Sequence, residues 1–150
     1  MPVIGIVIRE IYGTKKEELG PEIRVNNNAT IKDLKQTELI ALNKDGLSVS
    51  FEFKASYESQ KSKKSLAEIT IAGDVLLIEP DQAKILKQWN KDKKLPEDLN
   101  IQVINTILRK CITKSLSLSE DLNLPPPIGL PVVAPKKGGQ AHEESSRYIG

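Results

Sequence analysis

The stretch PEDLNIQVINTILRKCITKSLSLSEDLNLPPPIGLPVV, Pro96–Val133, decides how the rest of the chain must fold. Its apolar residues Leu99, Ile101, Val103, Ile104, Ile107, Leu108, Cys111, Ile112, Leu116 and Leu118 recur near the 3.6-residue period, which predicts one long helix with a wide apolar face. Such a face must be covered broadly. Pro96 suits the first turn, Glu97 and Asp98 favour the positive end of the helix dipole, and Arg109, Lys110 and Lys114 lie nearer its other end. Asn123 and then Pro125-Pro126-Pro127 cannot continue a helix, so it should stop around Ser119–Leu122. The prolines carry Leu124, Ile128, Leu130 and Val132 on a stiff, extended ribbon. That ribbon is too apolar for a solvated linker, and is expected to fold back over a hydrophobic surface or to present one.

Upstream, the pattern is that of strands. Val3–Tyr12 places Ile4, Ile6 and Ile8 on one face of a strand and Val3, Val7 and Ile11 on the other, so burial on both sides is expected. Gly13–Pro21 is a charged turn region, Glu22–Val25 extends again, Asn26-Asn27-Asn28 interrupts it, and Thr30–Leu42 fits either a loose strand or irregular chain. Asn43-Lys44-Asp45-Gly46 offers turn residues, with glycine available for a positive φ, and should close a hairpin. The next strand alternates cleanly, with Leu47, Val49, Phe51, Phe53, Ala55 and Tyr57 against Ser48, Ser50, Glu52, Lys54, Ser56 and Glu58. After a lysine-rich loop at Ser59–Ser65, Ile69, Ile71, Val75 and Leu77 mark a further strand, antiparallel to the last, with Ala72-Gly73 as a candidate bulge. Asp81 can cap a short helix reaching Lys94, with Ile85, Leu86 and Trp89 on one side and lysines on the other.

These elements give an α+β domain: a mainly antiparallel sheet of about four strands, covered on one face by a short helix and a long C-terminal one. The chain has 150 residues, 39% hydrophobic and 28% charged, enough for one domain with a core and too few for two. From Pro135 the composition turns to Lys, Gly, Gln, Glu and Ser, which cannot bury enough apolar surface to offset ordering entropy. Residues 1–134 are therefore read as the domain and 135–150 as a flexible polar tail.

The passages Val7–Lys16 (VIREIYGTKK) and Pro21–Val25 (PEIRV), the two alternating strands, and Arg109–Ser117 (RKCITKSLS) followed by Asn123–Val133 (NLPPPIGLPVV) together resemble the SecB family of protein-export chaperones. The likeness spans most of residues 3–133 and concentrates at the two ends of that range. It implies a SecB-like fold, an ATP-independent holdase role on unfolded or extended polypeptide linked to protein export, and a homo-oligomer, dimer or tetramer. It further implies pairing between chains, with Ile4, Ile6 and Ile8 of the first strand and Ile104 and Leu108 of the long helix as interface residues. A holdase needs apolar surface that accepts many sequences weakly. Trp89, Leu95, Leu124, Ile128, Leu130 and Val132 are the client-binding candidates, and packing inside the chain's own core is the other reading of each.

Other function classes find less support in the residues. His142 is the only histidine and lies in the predicted tail, and Cys111 sits on the apolar helix face as a small hydrophobe, so no catalytic residue and no metal set is assigned. Neither G-x-x-x-x-G-K-[ST] nor G-x-G-x-x-G is present, and no cofactor or small-molecule substrate is expected. An enzyme is not the reading. Lys61, Lys63 and Lys64 in one loop and Lys84, Lys87, Lys91, Lys93 and Lys94 around the short helix could meet phosphate, but a net charge of +2 and few aromatics disfavour nucleic acid. The runner-up is a non-catalytic adaptor with one dedicated partner. A single cysteine excludes an internal disulfide and suits a reducing cytoplasm, and no run approaches the length of a bilayer span.

Overall fold

The computed structural model describes residues 3–128. Four antiparallel strands, β1 (Val3–Lys15), β2 (Ile23–Leu39), β3 (Lys44–Ser59) and β4 (Ser65–Leu77), form one sheet in the order β1-β4-β3-β2. Two helices follow, α1 (Gln82–Asp92) and α2 (Glu97–Asp121). Strands β2, β3 and β4 are joined as a meander and β1 lies beside β4, which is a Greek-key arrangement. The two central strands carry the strictest alternation in the sequence, and this is why they are central. Leu47, Val49, Phe53, Ala55, Tyr57, Ile69, Ile71, Val75 and Leu77 have no solvent exposure at all. Burying each large member removes about 1.5–3 kcal/mol worth of apolar surface from water.

Helix α2 lies on that apolar face. Leu99, Val103, Ile107, Cys111, Ser115 and Ser119 recur every fourth residue and are its buried row. The two serines at the end of the row stay satisfied, because Ser115 donates to the Cys111 carbonyl at 2.7 Å and Ser119 to that of Leu116 at 2.8 Å. Burial pushes the Cys111 thiol up to about 11, so it is uncharged at neutral pH. The face is narrower than its sequence period suggests: Ile104, Leu108 and Ile112 are only half-buried and Ile101 is 51% exposed. A single sheet can touch only one side of a cylinder, and the rest of the stripe is left over.

The edge strands depart most from the sequence reading, and bulges are the reason. In β1 the pairing with β4 shifts at Ile4 and again at Arg9. The first shift moves Ile6 and Ile8 onto the side of Val3, and the second brings Ile11 opposite Ile71 on that same side. Val7 and Tyr12 face the other way, opposite Asp74 and Thr70, and are 47% and 59% exposed. The expected two-sided burial of β1 is therefore not found among the described residues. The bulge expected at Ala72-Gly73 of β4 sits across from those residues, in β1. Gly73 instead permits close approach: a Cβ there would fall on the Val7 carbonyl.

Strand β2 runs unbroken through Asn26-Asn27-Asn28, which pair with Ser56, Ala55 and Lys54, and through most of the segment whose pattern fitted either strand or irregular chain. A shift at Lys32 moves its inward positions from Val25, Ala29 and Ile31 to Leu34, so no single alternation spans the strand. The turn to β3 is Ile40–Asn43, three residues earlier than the sequence suggests, with Asn43 supplying the positive φ of 51°. Gly46 already belongs to β3, where a Cβ would meet the Leu39 side chain and the Leu77 carbonyl. Asp81 precedes α1 but makes no side-chain cap bond, and the helix closes with Lys93 at φ 58° rather than at Lys94.

Candidate functional site

Three surfaces of the fold bear on function. The first is the exit of α2. Asn123 adopts φ 55° and turns the chain, Leu124 donates its N–H to the Ser119 carbonyl at 2.8 Å, and the prolines then cross back over the sheet. Proline has no N–H, so this segment can be fastened only through its carbonyls. The Tyr57 hydroxyl donates to the Pro125 carbonyl at 2.6 Å, and Asn27 Nδ2 donates to that of Pro127 at 2.9 Å. Burial pushes the Tyr57 hydroxyl up to about 12, with the Ser119 hydroxyl opposing, so it stays a donor through neutral pH. Leu124 and Pro127 are buried beneath the segment, while Ile128 stands 38% exposed.

The second surface lies where α1, α2 and β2 meet. Trp89 and Leu95 form one wall of a cleft of about 500 Å³, Ile31 of β2 forms another, and Lys93, Glu97 and Asn100 stand around it. Lys93 Nζ lies 5.7 Å from the centre of the Trp89 ring, within cation–π reach. Trp89 and Leu95 are themselves 5% and 6% exposed, so they form the base of the cleft rather than projecting from it. Ile31 was not singled out from sequence, since the three asparagines before it and the weak pattern after it mask the strand.

The third surface is the free side of β1. Only β4 pairs with this strand, so its other row of backbone groups has no partner strand among the described residues. Ile4, Val7, Ile11 and Tyr12 are between 43% and 59% exposed along it. Ile6 and Ile8, named with Ile4 from the sequence, are half-buried against the core, as are Ile104 and Leu108 on α2.

The sequence-derived candidates thus divide. Trp89 and Leu95 come together at the cleft, Leu124 and Ile128 lie at the α2 exit, and Leu130 and Val132 fall outside the described residues, as does the 134/135 boundary. The carbonyl clamps Tyr57 and Asn27 carry no sequence signal, since each reads as an ordinary strand residue. Among the described residues no group of three or more His, Cys, Asp or Glu side chains gathers, and no helix is long and apolar enough to cross a membrane. The opposite face of the sheet is polar, with Arg9 paired to Asp74, Asp74 accepting from Ser50 at 2.8 Å, and Lys54 near Glu68 at 3.7 Å.

Compared with solved structures, the chain matches the SecB-like chaperone of Mycobacterium tuberculosis in complex with a ChAD peptide from the HigA1 antitoxin. The fold is SecB-like. The match has a TM-score of 0.59 and covers 90% of this chain and 91% of the mycobacterial one, at 10% sequence identity. No protein-family model matches the sequence, and no curated protein does. At that identity the SecB-like architecture is what the two chains share, and the side chains of each surface must be argued from this chain alone.

Proposed function

We propose that this chain is an ATP-independent chaperone that holds unfolded or extended polypeptide in the cytoplasm, with a link to protein export of the kind its SecB resemblance implies. The observation that carries the reading is the cleft of Trp89, Leu95 and Ile31, apolar at its base and beside the open side of β2. An extended chain can lie along such an edge and place alternate side chains in the cleft. The mycobacterial neighbour with this fold was solved with a peptide bound, which supports the same use here. The α2 exit extends the surface through Ile128, with Leu124 anchoring it from below, and Leu130 and Val132, which lie outside the described residues, are proposed for the same client contact from the sequence alone.

The working form is a homo-oligomer, dimer or tetramer. The unpaired side of β1 with Ile4, and the half-buried Ile6, Ile8, Ile104 and Leu108, supply its contact surfaces. A second reading, an adaptor with one dedicated partner, is favoured by the β2–β3 turn, where Ile40 is 86% and Leu42 49% exposed at a tip far more apolar than a solvated turn requires.

Dilution of a chemically denatured test protein, followed by light scattering without nucleotide, separates the two. The holdase suppresses aggregation in proportion to its concentration, and Ile128→Ser with Leu130→Ser weakens that suppression while leaving the circular dichroism unchanged. Absence of suppression at several-fold excess of folded chain overturns the holdase and leaves the adaptor.

A further inference from the structure

The cleft has a charge as well as a shape. Lys84, Lys87, Lys91, Lys93 and Lys94 are all exposed, and across Gln82–Leu95 the only acid is Asp92, a net of +4. Elsewhere on the surface Lys15, Lys54, Lys61 and Lys64 each have a carboxylate within 4 Å. Among the described residues none of the five lysines on and after α1 has such a partner. Lys93 and Lys94 stand at the cleft itself, and Lys32 is exposed at the β2 bulge next to Ile31. Glu97 is the one acidic group lining the cleft, and it and Asp98 lie in the first turn of α2, where the positive end of the helix dipole offsets them.

An apolar base with two unpaired ammonium groups at its rim discriminates among extended chains by their flanking charge. We infer that this cleft selects polypeptide segments in which a bulky apolar residue is flanked by aspartate or glutamate. The apolar residue packs on Trp89, Leu95 and Ile31. Its acidic neighbours meet Lys93 and Lys94 on one side and Lys32 on the other. Segments flanked by lysine or arginine meet like charge at the same places and are disfavoured. The inference deepens the polypeptide-binding reading and rests on it.

Trp89 is the only tryptophan in the chain, so its emission reports occupancy of the cleft directly. The test titrates the full chain with three tryptophan-free peptides that share one Leu-Phe-Leu centre and differ only in flanks of Glu, Gln or Lys. At low salt the Glu-flanked peptide binds roughly tenfold more tightly than the Lys-flanked one, and the gap closes in high salt. A Lys91→Gln, Lys93→Gln, Lys94→Gln variant alters only exposed side chains and folds normally. It narrows the gap, with the Glu-flanked peptide losing more affinity than the Lys-flanked one. Equal affinities, or tighter binding of the Lys-flanked peptide, overturn the selectivity and leave the polypeptide-binding reading standing. Failure of all three peptides to perturb Trp89 also overturns it, and the light-scattering assay then decides separately whether the chain holds polypeptide elsewhere.

Discussion

Strands β1 and β2 run along opposite edges of the same sheet, and each pairs with a central strand on one side only. Along β1 the exposed side chains include Ile4, Val7, Ile11 and Tyr12, whereas along β2 they are polar or charged and include Asn26, Asn28, Lys32, Asp33, Lys35 and Gln36. Exposed lysines are a usual device that stops an edge from recruiting another strand. β2 carries Lys32 and Lys35 where β1, itself bulged at Ile4 and Arg9, exposes Ile4, Val7, Ile11 and Tyr12. Asn27 of β2 is also tied to the chain's own proline segment. In β1, by contrast, Arg9 is turned onto Asp74 of the neighbouring strand. One edge is therefore defended within the chain and the other is not. An undefended apolar edge is stable in solution when a second copy covers it, which is the physical basis for the proposed assembly through β1 and the proposed client contact on the β2 side.

The sharpest way to break the contrast is to detach β1. The backbones of β1 and β4 approach so closely at Gly73 that a Cβ would overlap the Val7 carbonyl and come within 2.9 Å of Ile8 Cα. Gly73→Ala should cost about 3 kcal/mol or more, since backbone on both sides must move. Urea denaturation should show this as a large drop in midpoint together with loss of the assembled form. An unchanged midpoint would mean that the β1–β4 contact is looser than described.

A milder change leaves the fold intact and alters only the edge. Val7 and Tyr12 face away from the helices and are about half exposed, so Val7→Lys with Tyr12→Lys should shift unfolding of the single chain by less than about 1 kcal/mol. Mass measured by light scattering should nevertheless fall to that of a monomer, and the melting temperature should stop depending on protein concentration. If the mass stays that of an oligomer, the contact surface lies elsewhere, with the half-buried stripe of Ile104, Leu108 and Ile112 on α2 the next to test.

How much of this contrast could be read from the sequence follows from where the alternation survives. β3 from Leu47 to Tyr57 and β4 from Ala67 to Leu77 keep period two, so their buried residues, their antiparallel pairing and the α+β class are legible directly. Helix α2 is equally plain, and its stop near Leu122 follows from Asn123 and the prolines. At the edges, one extra residue at Ile4, Arg9 or Lys32 moves every later side chain to the other face. Hence β1 reads as buried on both sides, and much of β2 reads as either strand or loose chain. Trp89 and Leu95 could be nominated because both are apolar beside lysines, whereas Ile31 lies in a segment whose pattern fits either strand or loose chain, after the polar Asn26-Asn27-Asn28. The clamps at Tyr57 and Asn27 depend on carbonyls about seventy and one hundred residues away, a separation over which no local pattern carries information.

The alkaline limb of stability probes the defended side. Burial raises the Tyr57 hydroxyl from 10.0 to about 12 and the Cys111 thiol from 9.0 to about 11. Both groups keep their protons in the folded chain at pH values where the unfolded chain has released them. Their contribution is therefore fully present below about pH 9 and is lost as pH rises toward 12. Tyr57→Phe should cost about 1 kcal/mol at pH 7, through the lost bond to the Pro125 carbonyl. It also removes one of the two titrations, so the stability curves of Tyr57→Phe and the parent should converge above pH 10. A constant difference from pH 7 to pH 11 would show that the hydroxyl is not shielded by the proline segment.

The smallest effect is the most discriminating. Asn27 sits on exposed edge strand β2 and holds the Pro127 carbonyl with one neutral hydrogen bond, so Asn27→Ala should cost only about 0.5–1 kcal/mol. Its consequence should be local: the Leu124 amide, which donates to the Ser119 carbonyl at the start of the segment, should exchange with solvent several-fold faster by NMR. The mass in solution should not change, because the fastening belongs to β2 and the proposed assembly to β1. If Asn27→Ala instead dissociates the oligomer, the two edges are energetically coupled through the sheet, and assembly and client contact cannot be assigned to separate sides of it.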